Sequence, residues 1–139
     1  MATIERHVTR EVLGLDASTR CREAAKLMAE KRIGAVAVRE GRETVGLVTE
    51  RELVYNVLAE GGHCDLPIGQ AMRRDLPLIA PTTSEVECAD LMRVNFTRHL
   101  LVGEKENVVG IVSMRDLVQL MLEEKQWLID ELQIYISGR

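Results

Sequence analysis

One segment of this chain occurs twice. Gly46-Leu47-Val48-Thr49-Glu50-Arg51-Glu52-Leu53-Val54 recurs 64 positions later as Gly110-Ile111-Val112-Ser113-Met114-Arg115-Asp116-Leu117-Val118. The same offset aligns residues 3–58 with residues 67–122 without a gap, and 16 of the 56 pairs are identical. Ordinary amino-acid usage would give about three matches. Many other pairs are conservative, among them Leu47/Ile111, Thr49/Ser113 and Glu52/Asp116. A duplication of this extent constrains the fold more than any bulk property, because both halves must build the same supersecondary unit.

Each copy reads as strand, helix, strand, strand, helix. In the second copy residues 76–80 form a short apolar strand ended by Pro81. Ser84 then stands three residues before Glu87, the spacing of a capping box. Val86, Ala89, Leu91 and Met92 supply the apolar face of a helix running to about Asn95. Strands over 100–102 and 108–112 flank the polar stretch 103–107, which reads as a hairpin, and a second helix starts near Ser113. The first copy repeats this with strands at 12–15, 35–38 and 45–48, helices at 20–31 and 50–60, and a hairpin turn at 40–43.

Gly61-Gly62 stops the last helix of the first copy and opens the linker before Pro67. The expected division is therefore repeat 1 over 3–60, a linker over 61–66, repeat 2 over 67–123 and a C-terminal helical extension over 124–139. A sheet of about three strands covered on one face only is marginal by itself. The expected fold is thus α+β, with two β-α-β-β-α repeats packed sheet to sheet about a pseudo-twofold axis. A cleft between the copies and a pair of related sites follow from that symmetry.

Composition narrows the function. A chain of 139 residues with 46% apolar residues can bury a core, and its aromatic content of 3% leaves aliphatic side chains and Met to fill it. The net charge of −4 and the lack of a Lys/Arg block argue against nucleic acid as the main partner. No apolar run approaches the roughly 20 residues that span a bilayer, and the N-terminal stretch lacks a signal peptide's apolar core. Cys21, Cys64 and Cys88 are an odd number without metal-ligand spacing, and His7, His63 and His99 are isolated from one another. Reduced thiols in a cytoplasmic setting and no metal site are the expectation. No Ser/His/Asp or Cys/His arrangement and no Gly-rich phosphate loop is present, so an enzyme is not expected.

The repeated signature has two chemical readings. Ser or Thr at the end of a strand, at the start of a helix, stands where backbone N–H groups lack intrahelical partners and where the helix dipole favours an anion. An acid three residues later could accept hydrogen bonds from ribose hydroxyls, and Arg51 and Arg115 could reach phosphate oxygens. The same spacing also caps a helix, and Thr49 with Glu52 fits that box literally.

A strand ending in Gly, two apolar residues, Ser or Thr, two variable residues, an acid and then an apolar helix resembles the cystathionine-β-synthase (CBS) domain. Two tandem copies resemble the CBS pair, or Bateman module, of the small stand-alone bacterial type. The resemblance covers about residues 3–122. It implies a regulatory module that binds AMP, ADP, ATP or a related adenosyl compound in the cleft, with no required cofactor, and signals to a partner by a change of orientation. The residues that match the family's site are, in the second copy, Ile68, Gly69, Gln70, Met72, Thr97, Arg98, His99, Ser113, Arg115 and Asp116. The equivalents in the first copy are Ile4, Glu5, Arg6, Val8, Ile33, Gly34, Ala35, Thr49, Arg51 and Glu52. Glu52 departs from the family's usual Asp, which shifts the expectation of nucleotide binding toward Ser113/Asp116. Arg98 and His99 read either as adenine-slot residues, as phosphate contacts across the cleft, or as a solvated strand end.

The region after Ser113 is longer than one such helix needs. Met121, Leu128 and Tyr135 recur every seven residues, as do Leu120, Trp127 and Ile134, while Glu123, Glu124, Asp130 and Glu131 keep another face wet. This helix either folds back on its own module or packs on a partner chain, and the acidic polar face argues against a membrane surface. The resemblance implies a homodimer. The rival function is a ligand-free assembly scaffold that acts through its dimer surface and this helix.

Overall fold

The computed structural model describes residues 3–6, 8 and 14–138. A 3-10 turn at Ile4–Arg6 precedes the first repeat. That repeat comprises β1 (Gly14–Asp16), α1 (Cys21–Lys31), β2 (Ala35–Glu40), β3 (Glu43–Thr49) and α2 (Glu50–Glu52), which continues as a π-helical segment over Leu53–Leu58. A short helix α3 (Ile68–Ala71) leads into β4 (Leu78–Ile79), α4 (Glu85–Val94), β5 (His99–Glu104), β6 (Asn107–Ser113) and α5 (Met114–Ile136).

Two three-stranded sheets form, ordered β1-β2-β3 and β4-β5-β6. In each, the first strand runs parallel to the second and the last two make an antiparallel hairpin. The copies agree down to their irregularities. Register shifts occur between Val38 and Arg39 and again between Val102 and Gly103, 64 positions apart. The residues after α1 and α4, Arg32 and Phe96, both take the left-handed conformation, at φ 53° and 51°. An L residue reaches that region at a cost, so its recurrence marks an obligatory turn.

The apolar residues sort into three clusters. Each repeat packs its helices on one face of its own sheet. The opposite faces meet through Ala35, Ala37 and Leu47 of the first sheet and Leu101 of the second, with Leu78 and Ile111 alongside. Small residues on one side and larger aliphatics on the other let the sheets approach closely. This is the sheet-to-sheet arrangement that the bare faces of two small sheets require.

The copies also exchange their leading turns. Ile68 is fully buried in the first repeat's core, and Ile4 is fully buried in the second's. Ile68 N–H donates to Thr19 O at 2.8 Å, and its image, Ile4 N–H to Thr83 O, spans 3.1 Å. Each copy therefore lacks a core residue until the other supplies it.

Departures from the sequence reading have local causes. The strand expected over 76–80 pairs only at Leu78 and Ile79, since Pro77 and Pro81 have no N–H to donate. Val12 and Leu13 of the first expected strand lie outside the described residues, which place β1 at Gly14–Asp16. The turns at Ile4–Arg6 and Ile68–Ala71 are too short to show a helical period. Helix α5 crosses the expected boundary at residue 123 without a break. Its first turns pack on the module through Leu117 and Leu120, but beyond Glu124 it does not fold back: Trp127, Leu128, Ile129, Leu132, Ile134, Tyr135 and Ile136 are all exposed. Among the described residues no helix is long and apolar enough to cross a membrane.

Truncating the exchanged anchor tests this packing. Ile68→Ala is expected to lower unfolding free energy by about 2–5 kcal/mol in urea titration. Ile136→Ala, at an exposed position, should change it by no more than about 0.5 kcal/mol.

Candidate functional site

The strand starts and helix starts of both copies converge at one end of the sheet-to-sheet interface. Glu50 N–H donates to Gly34 O at 3.2 Å, and its image, Met114 N–H to Arg98 O, spans 2.8 Å. These bonds tie the N-termini of α2 and α5 to the beginnings of β2 and β5. An open cavity of about 1330 Å³ lies at this junction.

The cavity takes residues from both groups expected from the sequence. Ile33, Gly34 and Ala35 of the first copy line it together with Arg98, His99, Ser113, Arg115 and Asp116 of the second. Gly34 leaves the cavity close-walled, since a Cβ would sit 3.0 Å from Glu50 Oε1 and 3.2 Å from His99 Cε1 and would press these side chains aside by a few tenths of an ångström. The sequence reading passed over several wall residues: Arg32, Glu50 and Gln119 among the polar ones, and Met28, Leu53 and Ile111 among the apolar. The polar ones differ in chemistry from their counterparts at the 64-residue offset (Arg32/Phe96, Glu50/Met114, Gln119/Tyr55), so the repeat gave no signal for them, while Met28, Leu53 and Ile111 read as ordinary core positions.

Other expected residues lie elsewhere. Ile68 and Met72 are buried beside the first copy's core, while Ile4 and Val8 belong to the second's. Gly69 donates its N–H to Ala17 O at 2.9 Å, and Gln70 and Glu5 are exposed. Arg6 lies in the 3-10 turn. Thr97 bridges the bend before β5, accepting from His99 N–H at 3.2 Å and donating to His99 O at 3.1 Å. The exchange of leading turns explains this regrouping, since it carries 68–72 to the first copy and Ile4 and Val8 to the second.

The two signatures differ in structure. At the second, Asp116 Oδ2 accepts from Ser113 N–H at 2.7 Å and from the Ser113 hydroxyl at 2.9 Å, and Ser113 Oγ accepts from Asp116 N–H at 3.1 Å. This is a complete reciprocal capping box, and it sits on the cavity wall. Both acceptor bonds use Oδ2, so Oδ1 keeps its acceptor capacity.

At the first signature the Thr49 hydroxyl accepts from Arg51 N–H at 3.2 Å and lies 3.0 Å from Glu52 Oε2, to which it donates. Glu52 is only 3% exposed, and Thr49, Arg51 and Glu52 are not part of the cavity wall. The literal box expected at Thr49/Glu52 therefore forms at Ser113/Asp116 instead. The shorter Asp reaches back to the cap residue's own N–H, whereas the longer Glu folds onto the Thr hydroxyl. Arg51 turns outward over the Tyr55 ring, 5.3 Å from its centroid.

Charge in the cavity is mixed and organised around His99. Arg32, Arg98 and Arg115 contribute guanidinium groups, and Glu50 and Asp116 contribute carboxylates. Burial holds the His99 imidazole below its usual value, against the opposing pull of Glu50 and Asp116. Its buried Nδ1 has no hydrogen-bond partner among the described residues. A site of this composition can pair an anion with its guanidiniums without bearing a large net positive charge, and it offers carboxylate acceptors for hydroxyl or amino groups.

Comparison with known proteins identifies the architecture. The family model described as "CBS domain" matches residues 4–59 and again 68–123. The CBS domain-containing protein YhcV of Bacillus subtilis is 28% identical over 117 residues, covering 84% of each chain. A solved structure of a putative signal-transduction protein with CBS domains from Burkholderia ambifaria superposes with a TM-score of 0.82 at 28% identity, over 88% of this chain and 95% of that one. An uncharacterized conserved protein from Pyrococcus horikoshii gives 0.79 at 29% identity, over 86% and 92%.

Two measurements check the first signature's cap and the cavity's imidazole. Thr49→Val removes the donor to a buried carboxylate and is expected to destabilise the fold by about 1–3 kcal/mol in urea titration. An NMR titration of His99 should give a midpoint below the ordinary value near 6.5. The folded state then binds this proton less readily than the unfolded chain, so His99's contribution to stability is complete above that value. It is lost as pH falls through it toward the lowered midpoint.

Proposed function

Because the chain belongs to the CBS-domain family, we propose that it is a regulatory module that binds an adenosine nucleotide in the cavity between its two repeats. AMP, ADP, ATP or a related adenosyl compound is the ligand class. The observation that carries this reading is the meeting of the Asp116 carboxylate and three guanidiniums, from both copies, around one space large enough for a nucleotide. Asp116 Oδ1 accepts from the ribose hydroxyls. Arg98 and Arg115, with Arg32 across the cavity, pair with phosphate oxygens. Apolar walls from Met28, Ile33, Leu53 and Ile111 take the base.

The burial of Glu52 supports a single nucleotide per chain, with the first signature acting as a structural cap. A ligand that touches both copies favours one relative orientation of them, and that preference is the free energy available for signalling. The module is read as a regulator without catalytic activity, working in the cytoplasm on a partner protein.

The exposed apolar residues of α5 favour assembly as well. A helix with Leu128, Leu132, Tyr135 and Ile136 in water is costly for an isolated chain, and a homodimer covering them is part of the proposal. A ligand-free scaffold acting through the same helix is the competing reading.

Isothermal titration with AMP, ADP and ATP separates the two. The nucleotide reading expects saturable heat at about one site per chain, and it expects Asp116→Ala to weaken binding by at least tenfold, the loss of a charge-assisted hydrogen bond. Glu52→Ala should alter affinity less than about threefold, although it removes a buried hydrogen bond. No heat and no thermal shift at millimolar nucleotide would leave the scaffold reading standing.

A further inference from the structure

The linker between the repeats carries His63, Cys64 and Asp65 in succession, all exposed. It also caps α1 from outside the helix: Cys64 O accepts from Arg22 N–H and Leu66 O from Cys21 N–H, both at 2.8 Å. This docking turns the three side chains to one point. The imidazole, thiol and carboxylate ligand atoms all lie within 4.8 Å of one another. His63 Nδ1 is 3.3 Å from Asp65 Oδ2 and 3.9 Å from Cys64 Sγ. A tetrahedral Zn²⁺ with bonds of about 2.0–2.3 Å separates its ligand atoms by about 3.3–3.6 Å, so small side-chain rotations suffice to close the site.

A cationic group already occupies the space beside these donors. Arg22 Nη2 lies 2.9 Å from Cys64 Sγ, and its Nε lies 3.3 Å from Asp65 Oδ1. Arg22 is about half exposed and can swing into solvent. One soft donor, one imidazole and one carboxylate together suit Zn²⁺, not the all-oxygen preference of Mg²⁺ or Ca²⁺.

We propose that His63, Cys64 and Asp65 form a divalent zinc-class metal site in the linker, with water as the fourth ligand, and that the ion displaces the Arg22 guanidinium. On binding, the Cys64 S–H proton leaves to solvent as the S–Zn bond forms, and no electron is transferred. Affinity therefore falls as pH is lowered. The site lies outside the duplicated segments and is independent of the nucleotide cavity. The expectation of no metal site rested on the cysteine spacing and the isolated histidines; the linker's turn brings His63, Cys64 and Asp65 together.

The test uses the full chain, reduced and freed of metal, titrated with Co²⁺ alone and then with Zn²⁺ against a chromophoric chelator. A sulfur-to-cobalt charge-transfer band saturating at one ion per chain is expected. Cys64→Ser should abolish the band, with Cys21 and Cys88 still in place. His63→Ala and Asp65→Asn should each weaken Zn²⁺ binding at least tenfold, and Arg22→Gln should tighten it. These side chains are exposed, and circular dichroism checks that each variant folds. An absent band overturns the proposal, as does a band and Zn²⁺ affinity indifferent to His63→Ala and Asp65→Asn.

Discussion

The reciprocal burial of Ile4 and Ile68 is the constraint on which the remaining structure depends. Each repeat supplies a core residue to the other, and each anchor is fixed by a backbone hydrogen bond to the turn before the other copy's first helix. The two small sheets, each with one face bare, are thereby held in contact through Ala35, Ala37, Leu47 and Leu101. Neither half retains a complete core without the other, so the pair is one cooperative unit built from two copies of a motif. Any change in the relative orientation of the copies must strain or relax these shared contacts. That coupling is what a bound ligand has to act on.

The duplication places related groups around one junction, and divergence between the copies gives that junction its chemistry. Gly34 and Ala35 stand opposite Arg98 and His99, their own counterparts at the 64-residue offset. Where one copy is small, the other carries a guanidinium or an imidazole, which leaves open space beside polar groups. The mismatch of Glu52 with Asp116 works in the same direction. One additional methylene turns a cavity-lining acceptor into a buried partner of Thr49. Symmetric architecture thus yields an asymmetric cavity, with two of its three guanidiniums on the second copy.

Much of this was legible in the sequence because periodicity reports long elements well. The helices Cys21–Lys31 and Glu85–Val94, and both hairpins, fall within a few residues of where the apolar pattern and turn residues put them. The exchange of leading turns was not legible, since four residues at Ile68–Ala71 carry no period and nothing local says which core they enter. For that reason the expected site groups followed the copies, whereas the cavity draws on both. Ile33–Ala35 joined Ser113–Asp116, and Ile68–Met72 went with the other signature. Arg32 and Glu50 escaped notice because their importance comes from the facing copy, a relation that one-dimensional spacing does not contain. His63, Cys64 and Asp65 cluster because the linker docks on α1, a placement that their adjacency in sequence does not specify.

The central claim is that the nucleotide site is the cavity shared by the two copies, on the Asp116 side. The most direct measurement is amide chemical-shift mapping of the ¹⁵N-labelled chain titrated with AMP or ATP. The account predicts that Gly34, Ala35, His99, Ser113, Arg115 and Asp116 shift together, with one saturation curve, while Thr49 and Glu52 move little. Shifts centred on Thr49 and Glu52, or no saturable shifts at millimolar nucleotide, would contradict it.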